Sequence, residues 1–337
     1  MSSFESYNSN GEHRRWPHRL AVALTCATFP LIWVGGLVTT SDAGMAVPDW
    51  PTTYGYNLIL YPWQTWIAGP WDVFIEHGHR LLGVLVGCLT IALWLAILRG
   101  GSPRWLRGCA TLALVGVVAQ GVLGGMRVLL DQRTLAFLHG CVGPAFFAYC
   151  AALCVFTSPR WRATGPVAAA IDLKKLHRLA VLTTGIAYLQ LVIGGQLRHV
   201  HFGTSPRVFQ IAVLFHLIGA AVLFGYCLWL SRVAWRLQPV RRPAIALSLL
   251  VVLQIALGSG TWFLKYALPT LSDNWALTAA HTLQSGSLSQ AVTVTSHVAT
   301  GSLILATAVL VMVRVWRLSR QRGAVTPSST SFVEALV

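Results

Sequence analysis

The stretch EHGHRLLGVLVGCLTIALWLAIL, residues 76–98, decides the fold. Two histidines and an arginine lie in its first turns, and residues 81–98 contain no charged side chain. About 20 predominantly apolar residues in a helix cross the hydrocarbon core of a bilayer. The stretch therefore predicts a membrane-spanning helix with ionisable groups close to one end.

Seven further stretches have similar length and apolar character, which predicts an all-α integral membrane protein with eight transmembrane helices. The chain is 55% hydrophobic and only 10% charged, whereas soluble domains contain about 25% charged residues. This composition excludes an ordinary cytosolic enzyme, a secreted disulfide scaffold and a disordered regulator. The predicted spans cover residues 19–41, 76–98, 105–126, 134–156, 174–198, 207–230, 243–264 and 290–314.

The distribution of basic residues predicts the orientation. An even number of spans places both termini on one side, and 19 of the 25 Lys and Arg residues flank the spans on that side, against five on the other. Positive residues concentrate in cytoplasmic loops, so we expect both termini in the cytoplasm. The net charge of +15 then reflects membrane topology, and we expect no nucleic-acid partner.

The largest predicted outer loop, residues 42–75, has no Lys or Arg and contains Trp50, Trp63, Trp66 and Trp71. Tryptophan is enriched at the membrane–water interface, so this loop is expected on the outer leaflet. Two interpretations stay open at this point. The loop either anchors the protein at the interface or forms a lid over a site.

The two halves of the chain resemble each other. GGLVTTSDAG ends the first span and GGQLRHVHFG the fifth, while QGVLGGMRVLL closes the third span and QIALGSGTWFL the seventh. The repeat predicts two pseudo-symmetric four-helix bundles. The predicted boundaries are a cytoplasmic N-terminus (1–18), an N-terminal bundle (19–157), a cytoplasmic linker (158–173), a C-terminal bundle (174–318) and a disordered cytoplasmic tail (319–337).

One histidine lies near the outer end of every even-numbered span, and each is followed four residues later by glycine or alanine: His79, His139, His216 and His297. Ionisable residues inside spans indicate function, and histidine is a common axial ligand of haem. We therefore expect haem iron to be bound by His79 with His139 and by His216 with His297. A single four-histidine metal site and ordinary small-residue packing remain the alternatives.

Glu76, His79 and Arg80 share one helix face because they are spaced at i, i+3 and i+4. Glu76 could accept protons or orient His79, and Arg80 could pair with a haem propionate; a structural Glu76–Arg80 ion pair is the alternative. We also expect Arg127 and Arg198 to contact propionates at the outer edge. The second half lacks this cluster, which suggests that one bundle performs chemistry while the other holds an electron-transfer haem.

The chain resembles the haem A synthase family along nearly its whole length. The resemblance rests on GGLVTTSDAGMAVPDWPTTYG, EHGHRLLG, QGVLGG, LAFLHG and SHVATGSLILA. It implies a membrane-bound oxidoreductase that converts the C8 methyl group of haem O to the formyl group of haem A, for assembly of cytochrome c oxidase in the plasma membrane. It also implies that Glu76 is the catalytic carboxylate, that His79 and His139 form the substrate site, and that His216 and His297 bind haem b.

The implied partners are haem O, an electron donor of unknown identity, haem O synthase and cytochrome oxidase assembly factors; a homo-oligomer stays open. One feature departs from the family. Many bacterial members have a Cys-Pro-Asp-Trp-Pro-x-Cys pattern in the first outer loop, where this chain has Val47 and Thr53. A thiol-based route for electrons, or a disulfide within this loop, is therefore absent here.

Two other functions compete with this interpretation. A di-haem b-type cytochrome that transfers electrons from quinol would explain the four histidines but would leave Glu76 without a role. A transporter would fit the repeated bundles, although transporter sites lie near the bilayer midplane and these histidines lie off-centre.

Overall fold

The computed structural model describes residues 15–162, 172–200, 203–266 and 287–325, and this part of the chain is helical apart from its loops. An isolated bridge between Thr53 and Tyr56 is the only extended pairing within these ranges. The helices are α1 (Trp16–Thr40), α2 (Trp63–Ile67), α3 (Trp71–Arg99), α4 (Arg104–Leu130), α5 (Arg133–Thr157), α6 (Pro159–Arg162), α7 (Leu173–Arg198), α8 (Pro206–Ala234), α9 (Gln238–Tyr266) and α10 (Leu288–Val325).

Eight helices in the described ranges are long and apolar enough to cross a membrane, which confirms the predicted multi-pass all-α fold. They are α1, α3, α4, α5, α7, α8, α9 and α10. Several helix ends differ from the predicted spans, and two of these differences concern the outer loop and the tail. Helix α3 begins at Trp71, behind Pro70 and with Asp72 in its first turn, where a carboxylate favours helix initiation. Helix α10 continues through residues 319–325, which were expected in the tail; residues 326–337 lie outside the described ranges.

The helices contact one another in two rings of four. In the first ring α1 contacts α3, α3 contacts α4, α4 contacts α5, and α5 returns to α1. In the second ring α7, α8, α9 and α10 follow the same order. Contacts of α10 with α1 and α5, and of α5 with α7, join the rings. This pattern is compatible with the two predicted bundles, while their pseudo-symmetry stays a prediction.

Each ring has an apolar core in the half that is predicted to face the cytoplasm. Polar side chains in these cores are satisfied locally, as when Thr28 and Thr183 donate to the backbone carbonyls of Leu24 and Leu179 at 2.7 and 2.8 Å. The apolar cores thus occupy one half of each ring, and the four histidines lie in the other half. Large core residues are Leu24, Leu93, Leu106 and Leu153 in the first ring and Leu176, Leu230, Leu247 and Val311 in the second.

Small and polar residues join the two rings in their outer half. A Cβ atom at Gly36 of α1 would lie 2.8 Å from Cγ2 of Thr295 in α10. Arg198 of α7 donates from Nη2 to the carbonyl of Gly36 at 2.6 Å and to the hydroxyl of Thr40 at 2.5 Å. Close backbone approach at small residues is how membrane helices associate in the absence of a hydrophobic driving force.

We predict that Gly36→Leu weakens the junction between the rings, because its side chain overlaps Thr295. Overpacking of this kind costs about 1–3 kcal/mol, which should lower the thermal midpoint of unfolding in detergent. The matched control is Gly87→Leu in α3, since a Cβ atom there meets nothing within 4 Å. Equal midpoints for the two variants would contradict the prediction.

Candidate functional site

The four histidines singled out by the sequence lie in one layer. They occupy α3, α5, α8 and α10, between six and ten residues from the N-terminal end of each helix. At about 1.5 Å per residue this is roughly 9–15 Å along the helix axis. Histidines at a common depth can meet only where their helices face each other, and the structure shows that they do so in pairs.

The pairs are those predicted from the sequence. The ring centroids of His79 and His139 are 6.4 Å apart, and those of His216 and His297 are 6.3 Å apart. A metal–imidazole bond is roughly 2 Å long, so two imidazoles on opposite sides of one metal ion have ring centroids about 6 Å apart. Each pair thus has the spacing of two axial ligands.

Among the described residues, no group of three or more His, Cys, Asp or Glu side chains could hold a metal ion. The two pairs therefore do not combine into a single four-histidine centre within the described part of the chain. A site with two protein ligands needs its remaining donors from the ligand itself. The four nitrogens of a porphyrin supply them, so the pairs fit haem better than a bare ion.

Each histidine ring packs against a glycine of the preceding transmembrane helix. A Cβ atom would lie 2.6–3.2 Å from Cε1 of the histidine in all four cases, so the ring would have to shift at Gly35 and Gly258 and to give by a few tenths of an ångström at Gly124 and Gly194. Sequence reasoning assigned the space to the small residues four positions after each histidine, and it missed these glycines. The pairs are Gly35 with His79, Gly124 with His139, Gly194 with His216, and Gly258 with His297.

Three of these glycines are preceded by glutamine four residues earlier, at Gln120, Gln190 and Gln254. His297 donates from Nδ1 to the backbone carbonyl of Gln254 at 3.1 Å, which leaves its Nε2 unprotonated. The side-chain amide of Gln254 donates to this Nε2 at 3.4 Å. The buried side-chain oxygens of all three glutamines have no hydrogen-bond partner among the described residues. The repeated Gln-x-x-x-Gly spacing was the sequence signal for this layer.

Glu76 and Arg80 form an ion pair at 2.9 Å. Nη1 of Arg80 donates to the carbonyls of Asp49 and Thr52, and Nη2 donates to the carbonyl of Val47 and to Glu76. All four Nη hydrogens thus have protein acceptors, so only Nε–H is left for a propionate. The second carboxylate oxygen of Glu76 accepts the N–H of Val47 at 2.8 Å.

Val47 and Thr53 of the outer loop both make non-covalent contacts with α3. Val47 binds Glu76 through its backbone, and Thr53 hydrogen-bonds Nδ1 of His77 at 3.1 Å. The ring of His77 lies among aromatic residues of the outer loop, 5.4 Å from that of Trp66. The outer loop is therefore fixed to α3 by Glu76 and His77, which are successive residues of that helix.

The two predicted propionate contacts, Arg127 and Arg198, lie at the outer edge of the histidine layer. Nη2 of Arg127 donates to the carbonyl of Gly44 at 2.8 Å. Arg198 lies at the junction between the rings. Both positions suit a negatively charged group at the outer end of a macrocycle, and that role stays a prediction.

The structure defines a class: a polytopic membrane protein with two pairs of facing histidines below an ordered outer loop. The chain belongs to the cytochrome oxidase assembly protein family, whose model matches residues 18–210, more than half of the chain. This match and the relatives below confirm the haem A synthase family expected from the motifs.

Three relatives, each named "Heme A synthase", illustrate the similarity. The protein of Listeria monocytogenes serotype 4a is 28% identical over 138 residues, which cover 40% of this chain and 43% of the relative. That of Roseobacter denitrificans is 30% identical over 38% of this chain and 34% of its own. That of Exiguobacterium sibiricum is 28% identical over 65% of this chain and 76% of its own. The chain thus spans less than half the length of the first of these relatives.

We predict that acid loosens the outer loop through Asp49. Partial burial raises the pKa of Asp49. Hydrogen bonds from Gly55, Thr52 and Tyr54 together lower this pKa by more than burial raises it, so it lies below its ordinary value of 3.8. Its stabilisation is therefore complete above the ordinary pKa and is lost as the pH falls through the lowered one. Hydrogen exchange of Tyr54 and Gly55, corrected for intrinsic rates, should show this loss. Asp49→Asn should remove the dependence; an unchanged profile in that variant would contradict the assignment.

Proposed function

We propose that this protein is a haem A synthase, which oxidises the C8 methyl group of haem O to the formyl group of haem A. The observation that carries the proposal is the pairing of His79 with His139 directly beneath the Glu76–Arg80 ion pair and the outer loop. The family and its named relatives support it. Within the described residues only the first ring combines a histidine pair with a buried carboxylate, and this makes it the substrate site of the proposal.

In this proposal His216 and His297 hold a resident haem b, which would supply one-electron transfer when bound. Their spacing, the glycine behind each ring and the Gln254 carbonyl that orients His297 would suit two residues that hold haem iron. Arg198, between the rings, is suited to a propionate of this haem. The contribution of the chain is to fix the iron ligands and to exclude water.

Glu76 has a defined task in the first ring. It is 3% exposed and lies one helical turn before His79, on the same face. Its carboxylate accepts hydrogen bonds from the backbone N–H of Val47 and from Arg80, so its position at the outer end of the first ring is fixed. A carboxylate in this position can accept protons released as the methyl group is oxidised.

The proposal includes the plasma membrane as location, with both termini in the cytoplasm and both histidine pairs near the outer face. A di-haem b-type cytochrome would use the same four histidines. Haem extraction separates the two functions: the synthase contains haem O or haem A besides haem b, whereas the cytochrome contains haem b alone.

We predict that Glu76→Gln retains haem but loses conversion of haem O by about 10²-fold or more, the usual scale of a removed acid–base group. The assay is expression in cells that make haem O but no haem A, followed by extraction and chromatography of the haems. Asp72→Asn, in the exposed first turn of the same helix, is the control and should convert normally. Undiminished haem A in Glu76→Gln would refute the role of this carboxylate.

We also predict that Gly258→Val removes the haem of the second ring, because a Cβ atom at this position lies 2.9 Å from Cε1 of His297. Purified protein should lose the corresponding part of its haem b absorbance. Gly225→Val in α8 is the control, since a Cβ atom there meets nothing within 4 Å. Full haem b content in the Gly258 variant would show that His297 is not an axial ligand.

A further inference from the structure

The glycine behind each histidine is followed by a second small residue, and its surroundings differ between the helices. In α1 and α7 the second glycine serves the junction between the rings: Gly36 packs against Thr295, and a Cβ atom at Gly195 would lie 3.2 Å from the ring of Phe137. In α4 the second glycine instead receives Trp50 of the outer loop. A Cβ atom at Gly125 would lie 2.2 Å from Cδ2 of Trp50, so this indole lies directly on the helix backbone.

Trp50 is held at the level of the first histidine pair. The carbonyls of Asp49 and Thr52, on either side of it, accept hydrogen bonds from Arg80 at 2.7 and 2.9 Å. Arg80 directly follows His79 in α3. The indole reaches Gly125, which directly follows the glycine behind His139. The segment 49–52 therefore bridges α3 and α4, two neighbouring helices of the first ring, beside the histidine pair.

The second ring has no matching arrangement in its described part. Helix α9 has Ser259 where α4 has Gly125, and this serine is exposed. A serine side chain also occupies the space that an indole would need on the backbone. The two rings thus differ at this point: a loop residue bridges α3 and α4, whereas no described loop residue bridges α8 and α9 at Ser259.

We propose that the Trp50 side chain is a movable wall of the first site, which lies between His79 and His139. The haem substrate and product would then enter and leave between α3 and α4. The proposal rests on the proposed function, because it requires a macrocycle between His79 and His139. A substrate site must release its product, whereas a resident haem must stay. A wall made by one loop side chain can move without separating the helices that hold the iron ligands.

The test measures haem transfer from purified, haem-loaded full-length protein to excess apomyoglobin. Variants His139→Ala and His297→Ala assign the transfer phases to the first and second site. Trp50→Ala and Gly125→Ala should accelerate the first-site phase about tenfold, the scale of one lost aromatic contact, and leave the second-site phase unchanged. Gly121→Ala on the same helix is the control, since its Cβ atom meets nothing within 4 Å. Trp50→Phe should restore slow transfer.

Unchanged first-site transfer in both Trp50→Ala and Gly125→Ala would overturn the proposal and leave the proposed function intact. Equal acceleration of both phases would also overturn it, because it would indicate general loosening of the fold. A third outcome is that His139→Ala removes no phase of the haem transfer seen with the wild-type protein. No haem is then bound in the first ring, and the proposed function fails together with the proposed role of Trp50. The absorbance of the second haem reports that each variant is folded.

Discussion

The close approach of a histidine ring to the backbone of the preceding helix is the contact on which this architecture depends. An imidazole inside a membrane span is tolerated when it faces the interior and has a partner. A glycine opposite each ring provides the room, at distances where a Cβ atom would overlap Cε1. The same contact repeats in four helix pairs, so it sets both the depth of the histidines and the helix that each one must adjoin.

A second constraint acts only on the first half of the chain. Glu76 and Arg80 are largely removed from water, and charges in such a place require partners and hydrogen bonds. The ion pair satisfies part of this need, and the outer loop supplies the rest through the carbonyls of Val47, Asp49 and Thr52. The polar face of α3 and the ordered loop thus depend on the same hydrogen bonds. These contacts explain how a loop without a disulfide can be fixed over the first ring.

The sequence predicted the fold and the histidine pairs because long apolar runs and ionisable groups within them are strong, local signals. It predicted less about the residues that surround the pairs. Gly124 and Gln120 contact His139 from a neighbouring helix. Spacing within a single span instead indicated Gly83, where a Cβ atom would meet nothing within 4 Å. Arg80 could be assigned to a propionate or to Glu76 from spacing alone. Its contacts with Asp49, Thr52 and Val47 depend on where the loop carbonyls lie, which is a long-range property.

The repeat explains how one scaffold can hold two sites with different duties. Both rings place histidines on diagonal helices, so the capacity for axial ligation is shared by the two halves. In the described part of the chain the differences include Gly125 against Ser259 and the loop residue that packs on Gly125. Under the proposed function, a change outside the ligand set would suffice to make one site exchangeable while its counterpart stays permanent, because different residues would govern the binding of iron and access to the macrocycle.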